Sequence, residues 1–164
     1  MTETVSIVIG SESDLDLANK CADALDSLSI SNSIQVLSAH RTPGLLETHV
    51  RECESGGTKV FVAMAGLAAH LAGAVASKTV LPVIGVPGDG GPLSGMDALL
   101  STVQMPKGIP VATVAIGSAG ATNAAYLAAQ ILGVESEEVR SSLLKVREEG
   151  VEAIKESNKK LSDS

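Results

Sequence analysis

The chain has 164 residues, a length that suits one domain with a real core, and 45% of them are hydrophobic. A net charge of −7, no basic stripe and only Phe61 and Tyr126 as aromatic rings argue against a nucleic-acid partner. No stretch reaches transmembrane length without polar interruption and no secretory signal opens the chain. Cys21 and Cys53 lack CxxC spacing, so a cytoplasmic protein with free buried thiols and no membrane partner is expected.

Val5 to Ile9 reads as a buried strand of β-branched residues, followed at once by Gly10-Ser11-Glu12-Ser13-Asp14. A helix is predicted from Leu15 to Leu28, with Leu15, Ala18, Cys21, Ala22 and Leu25 as its apolar stripe. Ser13 and Asp14 can satisfy amides at its start, and the same amides can hold an anion. An ordinary capped turn and an anion site fit this segment equally well. Ile30 to Leu37 carries a second strand, then Ser38-Ala39-His40-Arg41 leads to a helix from Pro43 to Glu54, with Thr42 as its cap. His49 in that helix reads as a surface or interface residue. Gly56-Gly57 ends the helix, and Lys59 to Ala65 is a third strand.

A third strand-to-helix junction of small residues surrounds His70, which taken alone reads either as structural or as ligand-facing. After a short helix comes a strand from Pro82 to Val86. The loop Pro87 to Pro92 is too rich in Gly and Pro for regular structure, and a helix opening at Leu93–Asp97 runs to Val103. Val111 to Ile116 is the fifth strand, and Gly117 opens an alanine-rich helix to Leu132. Ser136 caps an amphipathic helix over 137–157, which has no strand to cover and is expected to pack on a neighbouring subunit, with a fraying tail from Asn158 to Ser164. Strands alternating with helices give a single α/β domain with a parallel sheet covered on both faces, its core over 5–132.

The chemistry collects in the turns after the first three strands. Ser11, Ser13 and Asp14, then Ser38, His40 and Arg41, then Gly66 and His70, can converge at one edge of such a sheet. A sugar phosphate or nucleotide fits this set. Arg41 and helix-start amides can take a phosphate, and Asp14 can accept ribose hydroxyls. A histidine, with a reference pKa of about 6.5, can act as acid and base near neutrality. Metal catalysis finds little support, because His40, His49 and His70 come without HExxH or a compact carboxylate cluster. No GxSxG elbow supports a nucleophilic serine.

Five ordered motifs now carry a resemblance: GSESD at Gly10 to Asp14, SAHRTP at Ser38 to Pro43, AAHL at Ala68 to Leu71, LPVIGVP at Leu81 to Pro87, and the long run from Leu93 to Leu132. The chain resembles the bacterial PurE family, the short mutases that act on carboxyaminoimidazole ribonucleotide. The resemblance implies a flavodoxin-like three-layer sandwich, a homo-octamer with sites shared between subunits, and no metal, ATP or organic cofactor. The implied reaction moves a carboxylate from the exocyclic amine to a ring carbon in purine synthesis, through transient CO2. By motif position His40 resembles the proton-transferring histidine, and Ser11, Asp14 and Arg41 the main ribonucleotide contacts. Ser13, Ser38 and Ala39 would complete the phosphate and ribose pocket. Gly66, Ala69, His70 and Leu71 resemble the wall around the base and CO2. A sister class takes free CO2 directly, and AAHL and VQMP favour the mutase class; a noncatalytic nucleotide-binding module is the third reading. Leu67, Ala72 and Ala74 depart from the family pattern, which has glycine, proline and methionine there, and the Gly88 to Pro92 loop is more glycine-rich than usual.

Overall fold

The computed structural model describes residues 3–162. Its five strands are β1 Val5–Ile9, β2 Asn32–Val36, β3 Val60–Ala65, β4 Val83–Pro87 and β5 Ala112–Thr113. Its helices are α1 Leu15–Ser27, α2 Pro43–Gly56, α3 Leu71–Ala76, α4 Met96–Val103, α5 Gly117–Leu132 and α6 Glu137–Ser162. All strand pairs are parallel, in the order β2-β1-β3-β4-β5. This is the flavodoxin-like order, whose switch point lies between β1 and β3.

Alternation along the strands divides the core. Val5, Ile7 and Ile9 of β1, Val60, Val62 and Met64 of β3, and Ile84 and Val86 of β4 face α1 and α5. The intervening Val8, Phe61, Ala63 and Val83 face Leu46 and Val50 of α2 and Leu71, Ala72 and Val75 of α3. Aromatic residues are so scarce that packing relies on close approach. At Gly85 an added Cβ would lie 2.4 Å from Thr102 and 2.8 Å from Val111, so this β4 position admits only hydrogen beneath α4. The alanines of α5 (Ala121, Ala124, Ala125, Ala128 and Ala129) are fully buried on both the sheet and α1 sides.

Several boundaries differ from the sequence reading. β2 is shorter, because Ser29 takes a positive φ of 58° and Ile30 N–H still bonds Leu25 O, completing the exit from α1. β5 keeps only two residues: it is an edge strand reached from Pro110, although Val114 N–H continues the pairing to Gly85 O at 3.1 Å. The helix expected from Leu93 starts at Met96, after Gly95 at φ 83°. Leu15, predicted on the apolar stripe, is 40% exposed.

The tail does not fray where expected. α6 stays helical through Ser162, with Lys159 and Lys160 placed favourably in its last turn; Asp163 and Ser164 lie outside the described residues. Val139, Leu143 and Val146 pack α6 onto the α1–α5 core, while Val151, Ile154 and Leu161 are exposed. Its first half thus covers its own chain. No described helix is long and apolar enough to cross a membrane.

His49, expected at the surface or at an interface, is half-buried and reaches the sheet beneath α2. The register that sends Val8 toward α2 also sends Ser6 there, and Ser6 is fully buried. His49 Nε2 lies 2.9 Å from Ser6 Oγ, with Cys53 Sγ at 3.4 Å, and burial lowers the His49 pKa against the opposing pull of Glu52 and Glu3. Cys21 is buried as expected and its thiol is pushed up to about 12 by burial, whereas Cys53 is only half-buried.

Candidate active site

A cleft of about 860 Å³ opens at the carboxyl edge of the sheet and draws lining residues from the turns after β1, β2, β3 and β4 and from the start of α5. Strands running in one direction put every such turn on the same edge, and the β1/β3 switch point parts the turns enough to leave a crevice.

The first turn is a 3-10 turn over Glu12–Asp14. The Asp14 carboxylate accepts from Ser11 N–H at 3.2 Å and from the Ser11 hydroxyl at 3.5 Å. Burial raises the Asp14 pKa, while its hydrogen bonds from the Ser11 backbone and hydroxyl work the other way. Ser11 Oγ and Ser13 Oγ are 2.5 Å apart, so the turn offers two hydroxyls held side by side.

In the second turn Ser38 is the organising residue. Its Oγ accepts from Arg41 N–H at 3.1 Å, its carbonyl from Thr42 N–H at 2.9 Å and from the Thr42 hydroxyl at 3.1 Å. Thr42 precedes α2 as predicted, but its hydroxyl turns back to Ser38 and caps no helix amide; Pro43, lacking an N–H, needs none. This turn projects Arg41 across to β1, where Nη2 donates to Gly10 O at 2.9 Å. One donor of the guanidinium fork thereby fixes the cation to the floor of the neighbouring loop.

The third turn brings His70 against His40. His40 Nε2 and His70 Nδ1 are 2.8 Å apart, and the rings meet edge to face with centroids 5.0 Å apart. One nitrogen must hold the shared proton and the other accept it. Both rings are exposed at the cleft, so this pair can exchange a proton with a bound molecule or with water.

Of the residues singled out in sequence, Ser11, Ser13, Asp14, Ser38, Ala39, His40, Arg41, Gly66, His70 and Leu71 line the cleft. Ala69 does not: it is 2% exposed and turned into the core behind the wall. Sequence reasoning missed the α1 side, Asp16, Leu17 and Lys20, and treated Leu67 only as a departure from pattern. Lys20 Nζ donates to Ser118 Oγ, joining α1 to the start of α5 at the cleft. The spacing of Ser13, Asp16, Leu17 and Lys20 at three and four residues was the available signal for a cleft-facing side of α1. The glycine-rich loop after β4 contributes as well, with Gly88, Asp89, Gly90 and Gly91 lining the cleft. Among the described residues no cluster of His, Cys, Asp or Glu could hold a metal ion.

The family described as AIR carboxylase matches residues 4–153. The chain belongs to the AIR carboxylase family. It is 49% identical to the N5-carboxyaminoimidazole ribonucleotide mutase of Pseudomonas aeruginosa over 94% of each chain. It is 47% identical to the enzyme of the same name from Bacillus subtilis over 98% of this chain and 99% of that one. Among solved structures, Treponema denticola PurE superposes with a TM-score of 0.88 at 31% identity, covering 96% of this chain and 97% of that one. A PurE2 variant from the same organism gives 0.90 at 30% identity, covering 98% and 99%. Membership in the AIR carboxylase family therefore extends over the whole sheet and all four cleft turns.

Proposed function

We propose that the protein is an isomerase of purine biosynthesis that converts N5-carboxyaminoimidazole ribonucleotide to 4-carboxy-5-aminoimidazole ribonucleotide. The observation that carries this reading is the His40–His70 pair at 2.8 Å, beside an Arg41 already anchored to Gly10. The mutases of Pseudomonas aeruginosa and Bacillus subtilis, matched nearly end to end, supply the substrate class.

In this reading the ribonucleotide lies across the first two turns. Arg41 and the Ser11–Ser13 hydroxyls take the phosphate, and Asp14, Ser38 and Ala39 flank the ribose. The base then lies against Gly66, His70 and Leu71. Cleavage of the bond between the exocyclic nitrogen and the carboxylate leaves its electron pair on nitrogen, which takes up one proton, and frees CO2. The electron-rich ring carbon attacks that CO2 to form the new carbon–carbon bond. His40 then removes the proton from this carbon and restores the ring. One proton enters and one leaves, so the net change is an isomerisation that needs no oxidant and no nucleotide triphosphate. His70, in contact with His40, can hold the proton between the two steps. Holding reactants in place converts a bimolecular carboxylation into an intramolecular one, which is a large part of the rate enhancement.

The protein would work in the cytoplasm as a homo-octamer, with transient CO2 and the ribonucleotide as its small-molecule partners. The exposed Leu93, Met96, Leu100 and Val103 around α4, together with the exposed apolar residues of α6, support assembly of some kind.

The test is turnover of the N-carboxylated ribonucleotide without ATP, metal or bicarbonate. The expected result is formation of the C-carboxylated product under those conditions. A strict requirement for added bicarbonate, with free label exchange in every turnover, would replace this reading by direct carboxylation from CO2. Tight ligand binding with no turnover would leave a nucleotide-binding module.

A further inference from the structure

The cleft gathers few permanent charges. Among its lining residues the cations are Lys20 and Arg41, and the carboxylates are Asp14, Asp16 and Asp89. Acids outnumber bases, which opposes the entry of an anion unless the cations are free to face it. They are free. Among the described residues neither forms an ion pair. Arg41 uses one donor on Gly10 O, and Lys20 Nζ donates to Ser118 Oγ. Asp16 stands four residues before Lys20 on α1, a spacing that favours an ion pair, yet the ammonium lies with the neutral hydroxyl instead. Its charge is therefore uncompensated by the protein.

Lys20 also stands where it can serve the first turn. Ser13, Asp16, Leu17 and Lys20 recur at three and four residues, and all line the cleft. Ala18, Cys21 and Leu25 of the same helix are fully buried, so packing of α1 fixes which side meets the cleft. A long side chain on a helix leans toward the helix N-terminus. For Lys20 that direction runs toward Ser13, whose hydroxyl lies against that of Ser11. Lys20 and Ser118 are both exposed, so the bond between them can open without disturbing the core.

We propose that Lys20 is a further substrate-binding residue, the second cation for the phosphate of the ribonucleotide, held ready by Ser118 until the substrate arrives. This rests on the mutase reading. A phosphate monoester carries nearly two negative charges near neutrality, and Arg41 supplies only one positive charge. Arg41 gives a planar fork anchored at one corner, suited to fixing orientation. Lys20 gives a mobile point charge that neutralises the remainder.

The experiment uses the full-length protein and two probes, the C-carboxylated ribonucleotide and its 5′-dephosphorylated ribonucleoside. Binding is followed by NMR titration, with kcat and KM for the N-carboxylated ribonucleotide measured in parallel. Lys20→Met keeps the apolar stem and removes the charge at an exposed position, and the urea midpoint checks that the fold is intact. The expected result is a roughly ten-fold rise in Kd and KM for the ribonucleotide, the size of one charge-assisted contact, with kcat and ribonucleoside binding little changed. Lys20→Arg should restore most of the affinity. Ser118→Ala separates binding from a merely structural tie between α1 and α5: the ammonium remains, so its effect on ribonucleotide affinity should be much smaller than that of Lys20→Met. Wild-type ribonucleotide affinity in Lys20→Met, an equal loss for nucleotide and nucleoside, or an equal loss in Ser118→Ala would overturn the proposal and leave the mutase reading intact. A wild-type chain that binds the ribonucleotide without turning it over overturns the mutase reading alone, and one that does not bind it overturns both.

Discussion

The His40–His70 pair and the His49–Ser6 pair put the same ring to two uses, one beyond the carboxyl edge of the sheet and one between α2 and the sheet. His40 and His70 stand on turns after strands, exposed at a cleft, 2.8 Å apart. His49 stands in mid-helix on α2, half-buried, and bonds a serine that has no access to water. Placement decides the role. A turn beyond the end of a strand can present a titratable ring to a ligand, whereas a helix face packed on the sheet can only use the ring to satisfy a buried hydroxyl. Three histidines in a chain of 164 residues thus divide into a cleft-facing pair and a single ring that satisfies a buried serine.

The sharpest way to break the comparison is at His40. His40→Asn should keep the fold and ligand binding but lose turnover by roughly a hundred- to ten-thousand-fold, the range for removing a positioned acid–base group. Steady-state rates and a far-ultraviolet circular dichroism spectrum check this; near-normal turnover would assign proton transfer elsewhere. Next comes Arg41→Ala. Loss of a charge-assisted bond and of the cation should weaken ribonucleotide binding by about 1.5–3 kcal/mol, read by calorimetric titration, with little change in urea midpoint. His49→Ala should do the reverse. Leaving Ser6 Oγ buried without a partner should cost about 1–3 kcal/mol in urea unfolding, while turnover stays at the wild-type level.

The smallest effect is on pH dependence. His49 has a lowered folded pKa through burial, so below the unfolded value of about 6.5 the unfolded chain binds more protons than the folded one. Stability should therefore be full above that value and fall as pH drops from it toward the folded pKa. Urea midpoints measured on either side of about pH 6.5 check this, and the difference should shrink in His49→Gln. An unchanged midpoint in the wild type would show that His49 titrates as it does in the unfolded chain.

Much of this contrast was legible in the sequence, for identifiable reasons. The strands β1, β3 and β4 are nearly continuous apolar runs, as sheets covered on both faces require, and the candidate site residues stand in the turns after the first three strands. His40 and Arg41 were readable because a capped turn follows a β-rich run at once. The His49–Ser6 contact was not legible because Ser6 lies 43 residues away, and no local pattern records which strand a helix will cover. Lys20 was missed for the same reason, since its partner Ser118 is 98 residues distant. The two-residue β5 was over-extended because edge pairing depends on what the neighbour offers, whereas the β-branched Val111, Thr113, Val114 and Ile116 read as strand formers locally. The exit from α6 was set too early because polar residues at its end looked like a fraying tail; they belong to a helix whose last turn carries lysines suited to its dipole.

The strand order has a consequence for how the site comes into being. His40 follows β2 and His70 follows β3, and both strands pair with β1 on opposite sides. The two rings, 30 residues apart in the chain, meet only after β1 has acquired both neighbours. Parallel pairings of this kind close long loops before they gain contacts and are slow steps in folding. A chain emerging from synthesis thus carries His40 unpartnered until the third strand docks, and the β1–α1–β2 unit with its following turn holds one ring of the pair and no proton partner for it.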